Sequence, residues 1–237
     1  MEPLRIDIWS DIACPWCWVG KRRLEQALEK FAHAEAVEVE WHAFELDPWA
    51  PKKRHDGLTY AARLGKKYGT SAEQAELMIQ RMTDAAAKDG ITMRFDRAQP
   101  GNTFDAHRLL HHASRCGKQN ALKERLFKAY LEDGDSLGDA STLAKLASDV
   151  GIDVDEAAAV LASDTHANEV RADERQAASL GISGVPFFVF DRRYAVSGAQ
   201  PADAVLEVLD KVWSEREGNG ETDAPLAEGA ACGPDGC

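Results

Sequence analysis

Positive charge is what this sequence is short of: 28 lysines and arginines stand against 40 aspartates and glutamates in 237 residues, a formal net charge of -12. A protein that grips a phosphate backbone or an anionic bilayer needs a positive face, so nonspecific nucleic-acid binding and membrane-surface binding are not expected. No apolar run approaches the length that crosses a bilayer. No basic and apolar leader is visible either, since only Met1-Glu2-Pro3 precedes the first strand pattern, and a cytoplasmic location is expected. No internal repeat stands out. Cysteine is sparse at five, too few for a disulfide scaffold in a chain of this length. A zinc site would need four ligands, and neither a second Cys-x-x-Cys nor a His pair at finger spacing accompanies the one such motif. No metal and no organic cofactor are expected. What remains is a globular chain long enough to bury a substantial core, in one large domain or two small ones.

The chemistry is concentrated in Ser10-Asp11-Ile12-Ala13-Cys14-Pro15-Trp16-Cys17-Trp18. Upstream, Leu4-Arg5-Ile6-Asp7-Ile8-Trp9 alternates apolar and polar as a strand does. Downstream, Leu24, Ala27, Leu28 and Phe31 recur at helical spacing. The Cys-x-x-Cys therefore sits where a strand hands over to a helix. Pro15 suits the first helical position, having no N–H to lose there and a preset φ. Cys14 is then the N-cap, its sulfur close to unsatisfied N–H groups and the positive end of the helix dipole. A thiolate is favoured in that place, and the thiolate is both nucleophile and leaving group of disulfide exchange. We read Cys14 as the attacking sulfur and Cys17, one turn on, as the resolving one. Trp16 and Trp18 are expected to shape an apolar rim suited to unfolded chains. Half a zinc site and an inert pair are the competing readings. His33 and His42 are single residues that read as surface or satisfied core. Cys116, before Gly117 at the end of a helical run, reads as a small apolar filler.

Along the chain, Val37 to Phe44 alternates strictly and predicts a second strand, so that strand, helix and strand make a parallel βαβ unit. From about Gly57 to Leu180 the pattern is almost wholly helical. Ends are legible at Gly69, at the Thr70-Ser71 caps, at Gly90, at Asn102-Thr103, and at Gly117, Gly151 and Gly181. One helix is expected over 119–132. Ile91 to Phe95 reads as a short extended segment reaching back to the core. The sheet resumes at Phe187-Phe188-Val189-Phe190 and Tyr194-Ala195-Val196-Ser197, with Asp191-Arg192-Arg193 as a hairpin. A last amphipathic helix is expected from Pro201 to Trp213. The expected organisation is an α/β domain at 1–46 and 181–214, a helical insertion at 47–180, and a flexible tail at 215–237.

This order resembles the thioredoxin fold of the DsbA family, and within it the FrnE proteins. The resemblance rests on Asp11 to Cys17, Asn102-Thr103-Phe104-Asp105-Ala106-His107-Arg108-Leu109, Gly184-Val185-Pro186-Phe187-Phe188 and Val196-Ser197-Gly198-Ala199-Gln200. It implies a cis Val185-Pro186 bond facing the cysteines, with the Val185 backbone left free to pair with an extended substrate; a trans proline at a strand start is the plainer alternative. It implies a protein thiol–disulfide oxidoreductase or isomerase with roles in oxidative stress. Protein thiols or disulfides would be its substrates, with glutathione or a thioredoxin-type protein as electron partner. The dipeptide Pro15-Trp16 departs from the Pro-His of DsbA itself. Imidazolium can stabilise a thiolate and indole cannot, so Cys14 is expected to be less acidic.

Relatives in the wider superfamily, such as 2-hydroxychromene-2-carboxylate isomerases, imply a second class: glutathione-dependent chemistry on a small molecule. Those enzymes typically carry serine at the first cysteine, and Cys14 argues against it. A noncatalytic chaperone or metal-binding protein is the third class. His107 and His111 lie one helical turn apart, but no carboxylate or cysteine at matching spacing completes a site, and packed or solvated histidines are expected. Finally, Cys232-Gly233-Pro234-Asp235-Gly236-Cys237 carries a turn sequence that can bring two sulfurs within disulfide range. A second redox pair exchanging with the first, a weak metal clip and an incidental oxidation-prone tail all remain open there.

Overall fold

The side chains of Leu4, Ile6 and Ile8 all point to one face of strand β1 (Leu4–Ser10) and are fully buried there. The computed structural model describes residues 2–54, 56–218 and 227–228. β1 passes into helix α1 (Pro15–Lys30), and strand β2 (Val37–Ala43) returns parallel to β1, with Leu4 opposite Val37 and Ser10 opposite Ala43. Seven helices follow before the sheet resumes: α2 (Tyr60–Tyr68), α3 (Ala72–Lys88), α4 (Phe104–Arg115), α5 (Gln119–Lys128), α6 (Ala140–Ser148), α7 (Val154–Leu161) and α8 (Ala167–Ser179). Strands β3 (Phe187–Phe190) and β4 (Tyr194–Ser197) form an antiparallel hairpin, and β3 lies antiparallel to β1. Helix α9 (Ala202–Gly218) closes against α1, and a two-residue strand β5 (Ala227–Glu228) pairs parallel with β4. The sheet order is β2-β1-β3-β4-β5. This is the α/β, thioredoxin-like arrangement with a helical insertion that the sequence led us to expect.

Local chemistry explains where the helices start and stop. Gly69 takes φ 62 and ends α2, and Ser71 and Gln74 cap α3 reciprocally, satisfying two N–H groups that would otherwise lack partners. Some boundaries differ from expectation. α2 begins at Tyr60, because Thr59 rather than Gly57 caps it, accepting from the Ala62 N–H. α5 leaves α geometry at Lys128, and a π turn over Ala129–Asp133 completes the segment. Residues 91–95 form no strand, yet Ile91, Met93 and Phe95 are buried, as an extended reach into the core requires. The segment expected to be tail from 215 onward starts as helix: α9 runs on to Gly218, with Glu215 accepting from the Tyr194 hydroxyl and facing Arg193.

Two apolar bodies lie on the two faces of the sheet. One packs Leu4, Ile6, Ile8, Phe188 and Phe190 against Leu24 of α1 and Val205 and Leu209 of α9. The other joins Trp9, Ile12, both active-motif cysteines and the insertion helices. This second face is also polar. Asp7, on the opposite side of β1 from Ile6 and Ile8, accepts from His42 Nε2 at 2.7 Å, while His42 Nδ1 lies 2.9 Å from Asp173 of α8. Trp9 stacks on His42 at 4.6 Å and donates its indole N–H to the Asp173 carbonyl. Through Trp9 and His42 this polar face meets Asp173 of the insertion. Cys116 is not a core filler: it is exposed at the end of α4, where the chain turns out to solvent through Gly117.

Candidate active site

β1 ends at Ser10 and the chain turns at once. The Cys14 N–H donates to the Asp11 carbonyl at 3.2 Å, and the Asp11 carboxylate accepts from the N–H groups of Ala13 and Leu46 at 3.2 and 2.8 Å. This turn sets Cys14 as the N-cap of α1 with φ -90 and ψ 114, and Pro15 as its first helical residue. Cys17 follows one turn on, its N–H bonded to the Cys14 carbonyl at 3.1 Å. Both cysteines are free thiols and fully buried. Cys14 Sγ donates to the Val185 carbonyl at 3.6 Å, and the Val185–Pro186 bond is cis. Gly198 N–H holds the Pro186 carbonyl at 2.8 Å, tying the proline to the end of β4.

Gly20 makes this approach possible. A Cβ there would come within 3.0 Å of the Pro186 ring and 3.1 Å of Phe188. Nothing near it in the chain singles it out, because the residues it meets, Pro186 and Phe188, are remote in sequence.

Electrostatics modify the expectation of a thiolate at the helix N-terminus. Burial pushes the Cys14 thiol well above its ordinary range, and its hydrogen bond and proximity to Cys17 add to that. In the dithiol state, removal from water outweighs the one opposing contact, the hydrogen bond from the Cys17 N–H. Beneath the pair sit three further buried ionisable groups. Asp11 is held below the usual carboxylate range: burial works against it, but His107 and the two N–H donors outweigh burial. His107 Nε2 lies 3.5 Å from Asp11 Oδ1 and has no full hydrogen bond, and burial pulls its imidazole toward the neutral form. Lys123 of α5 is 0% exposed and reaches the Ser10 carbonyl at 3.3 Å. None of these three was singled out for the site from sequence. A signal existed for Lys123, which falls in the series 119, 122, 123, 126 and 127, the spacing of the buried face of α5.

The two tryptophans part company. Trp16 is half-buried beside the core, whereas Trp18 is 3% exposed and does not belong to a rim. Its indole N–H is spent on Glu124 at 3.0 Å, which turns the ring inward over Phe127. Exposed apolar surface comes instead from Trp49, 92% exposed, and Leu58. Both belong to the segment bordering a cavity of about 550 Å³ lined by Ala13, Pro15, Tyr60, Tyr130, Arg54 and Arg63.

His107 and His111 do not share a site: His111 Nε2 bonds Asp173 at 2.9 Å while His107 faces Asp11. Among the described residues, Asp7, Glu40 and His42 approach one another at metal-binding distances. Arg5 pairs with both carboxylates at 2.6 Å and both His42 nitrogens are engaged, so the cluster closes on itself without an ion. Cys232 and Cys237 lie outside the described residues.

Residues 5–210 match a family model described as a DSBA-like thioredoxin domain. The uncharacterised protein YwbO of Bacillus subtilis strain 168 is 30% identical over 216 residues, 90% of this chain and 98% of that protein. A probable DsbA oxidoreductase of Streptomyces coelicolor is 46% identical, with TM-score 0.84 over 99% of this chain and 98% of the other. Two distant structures show the fold alone. The cytosolic disulfide reductase DsbM of Pseudomonas aeruginosa with GSH is 16% identical, with TM-score 0.61 over 89% of this chain and 100% of that one. A 2-hydroxychromene-2-carboxylate isomerase is 12% identical, with TM-score 0.63 over 92% and 100%. In the described residues no helix is long and apolar enough to cross a membrane.

Proposed function

The chain belongs to the DSBA-like thioredoxin domain family, an oxidoreductase family, and from that premise we propose that it catalyses thiol–disulfide exchange on cysteines of unfolded or misfolded polypeptides. The observation that carries this is the Cys14 sulfur at the head of α1, 3.6 Å from the carbonyl that precedes Pro186. In the oxidising direction, a client thiolate attacks Cys14 of the Cys14–Cys17 disulfide, and the S–S electron pair leaves on Cys17. A second client thiolate then attacks the client sulfur of the mixed disulfide and expels Cys14. The client gains a disulfide, and two electrons stay on the pair, to be protonated there. Reduction runs the same steps backward. Pro186 has no N–H of its own, and an extended client can pair with the Val185 backbone while its apolar side chains meet Trp16, Trp49 and Leu58.

The finer assignment is a FrnE-type enzyme working in the cytoplasm in protection against oxidative stress, with glutathione or a thioredoxin-type protein as electron partner. The Cys232/Cys237 pair is its second redox couple. Support for a link between the two pairs comes from β5: Glu228 sits opposite Ser197, which is itself opposite Phe187, next to Pro186. Cys232 is four residues further on, a reach of at most about 14 Å.

The test is reactivation of scrambled ribonuclease by wild type, Cys14→Ser and Cys17→Ser. Activity is expected to vanish in Cys14→Ser, and Cys17→Ser is expected to accumulate mixed disulfides between Cys14 and clients, and between Cys14 and Cys232 or Cys237. The cavity beside Ala13 and Pro15 favours one other reading, a glutathione-dependent isomerase of small molecules. Turnover of such a substrate that survives Cys14→Ser would replace the first reading with that one. If no Cys14–tail adduct forms, the tail is not a relay.

A further inference from the structure

Lys123 is an ammonium group buried without a carboxylate partner. Its Nζ has the Ser10 carbonyl at 3.3 Å and the rings of Trp41 and Phe127 at 5.4 and 5.2 Å, and it forms no ion pair with a described residue. Removing a charge from water on these terms is expensive, and a methionine would fill the same apolar slot without that cost. Burial does pull Lys123 down, to about 8, and the groups that pull it back are Cys17, Asp11 and Cys14.

The charges around the cysteines explain what a cation is needed for. Cleavage of the Cys14–Cys17 disulfide leaves a negative charge on sulfur in a fully buried place. Asp11, already ionised in the turn before Cys14, repels that charge. Among the described residues, the other cations facing this spot are committed or neutral. Lys21 of α1 pairs with Glu25 and Glu124 at 2.6 and 2.8 Å. His107 of α4 is held toward its neutral form by burial. Trp41 of β2 brings no charge. Lys123 of α5 is left.

We infer that Lys123 is a positioning residue for disulfide exchange: its ammonium is the counter-charge for the thiolate that leaves on Cys17, so that an insertion helix sets the redox poise of a pair carried by the sheet domain. The inference rests on the exchange reading above. In the attack step the client sulfur–Cys14 bond forms, the Cys14–Cys17 bond breaks, and the electron pair stays on Cys17 opposite the ammonium. The proton that later neutralises Cys17 comes from water or from Lys123 itself. By linkage, whatever a thiolate does to hold the proton on Lys123, Lys123 does in equal measure to hold the thiolate.

The experiment compares wild type with Lys123→Met. Two quantities are followed: the rate at which dithiothreitol reduces the Cys14–Cys17 disulfide, and the pH at which thiolate absorbance appears in the reduced protein. The expected result is reduction slowed about tenfold and thiolate appearing at higher pH. An unchanged thiolate titration in a variant with native near-ultraviolet dichroism overturns the inference, whatever the rate does. Should Lys123→Met fail to fold, the wild type answers alone: with lysine labelled at ¹³Cε, the Lys123 resonance is titrated in the oxidised and reduced protein. A higher midpoint in the reduced protein is expected, and equal midpoints overturn the inference. Wild type that never exchanges disulfides with clients would remove the functional reading instead, and the Lys123 titration would still report on the coupling.

Discussion

Gly20 governs how close α1 comes to Pro186, and it does so by having no side chain. Replacing it with valine drives carbon atoms against the Pro186 ring and the tip of Phe188, which must give way to make room. The expected loss of stability is about 1–3 kcal/mol, the usual cost of overpacking, read as a lower urea midpoint. Exchange activity should fall more than stability does, because the Val185 carbonyl is pushed off the Cys14 sulfur. At this scale the sequence was informative about residues whose chemistry is local. Cys14, Pro15 and Cys17 announce themselves by spacing, and Pro186 through the family resemblance carried by Gly184 to Phe188. Gly20, Asp11, His107 and Lys123 act through partners that are remote in the chain, and nothing in their own neighbourhoods says which partners those are.

At the scale of elements, β1 and α8 are joined through one histidine. Burial alone pulls His42 down, but its hydrogen bonds to Asp173 and Asp7 outweigh burial and push it up to about 9, from 6.5. A group whose pKa is raised by folding stabilises most while it is protonated in both states. Its contribution is therefore fully present below about pH 6.5 and is lost as pH rises through about 9, on the order of 3 kcal/mol for this shift. Urea unfolding between pH 6 and pH 10 should show that decline in wild type, and in His42→Gln a lower but flatter profile. An equal slope in both would mean that the histidine is not the titrating group. The alternation that predicted β1 and β2 could identify the strands and one apolar face. It could not say that the polar face would also be covered, since that depends on where α4 and α8 pack. Helix ends were legible wherever a glycine or a capping side chain marks them. The segment over 119–132 was legible in extent but not in the π geometry of its last turn, and the end of α9 was missed, where Tyr194 and Arg193 hold Glu215 and lengthen it.

For the molecule as a whole, the notable division is between what the sheet domain carries and what the insertion lends to it. The sulfurs, Asp11 and the cis proline sit on the sheet side; His107, Lys123 and most of the cavity wall come from the insertion. Chain order made the insertion visible, because the pattern is almost wholly helical between β2 and β3. Its contribution to the site was not visible, because a lysine on the buried face of α5 looks, in one dimension, like an imperfection in an apolar stripe. The cavity was equally hidden, since its lining is drawn from the loop before α2, from α2 itself, and from Ala13, Pro15, Gly101 and Tyr130, which are remote from it in the chain.

A sheet whose last strand is unpaired offers its row of free N–H and C=O groups to any passing extended chain, including another copy of itself. β5 occupies that row at Val196 and Ser197 with a parallel pairing of only two residues. On the proposal that its clients are unfolded chains, β5 keeps the protein from polymerising with them along the wrong side of its sheet. Shortening the chain to end at Gly218 should leave the fold intact and make it adhesive, with light scattering rising when reduced, unfolded protein is added. If scattering matches that of the full chain, two residues of pairing are too little to keep strangers from the edge.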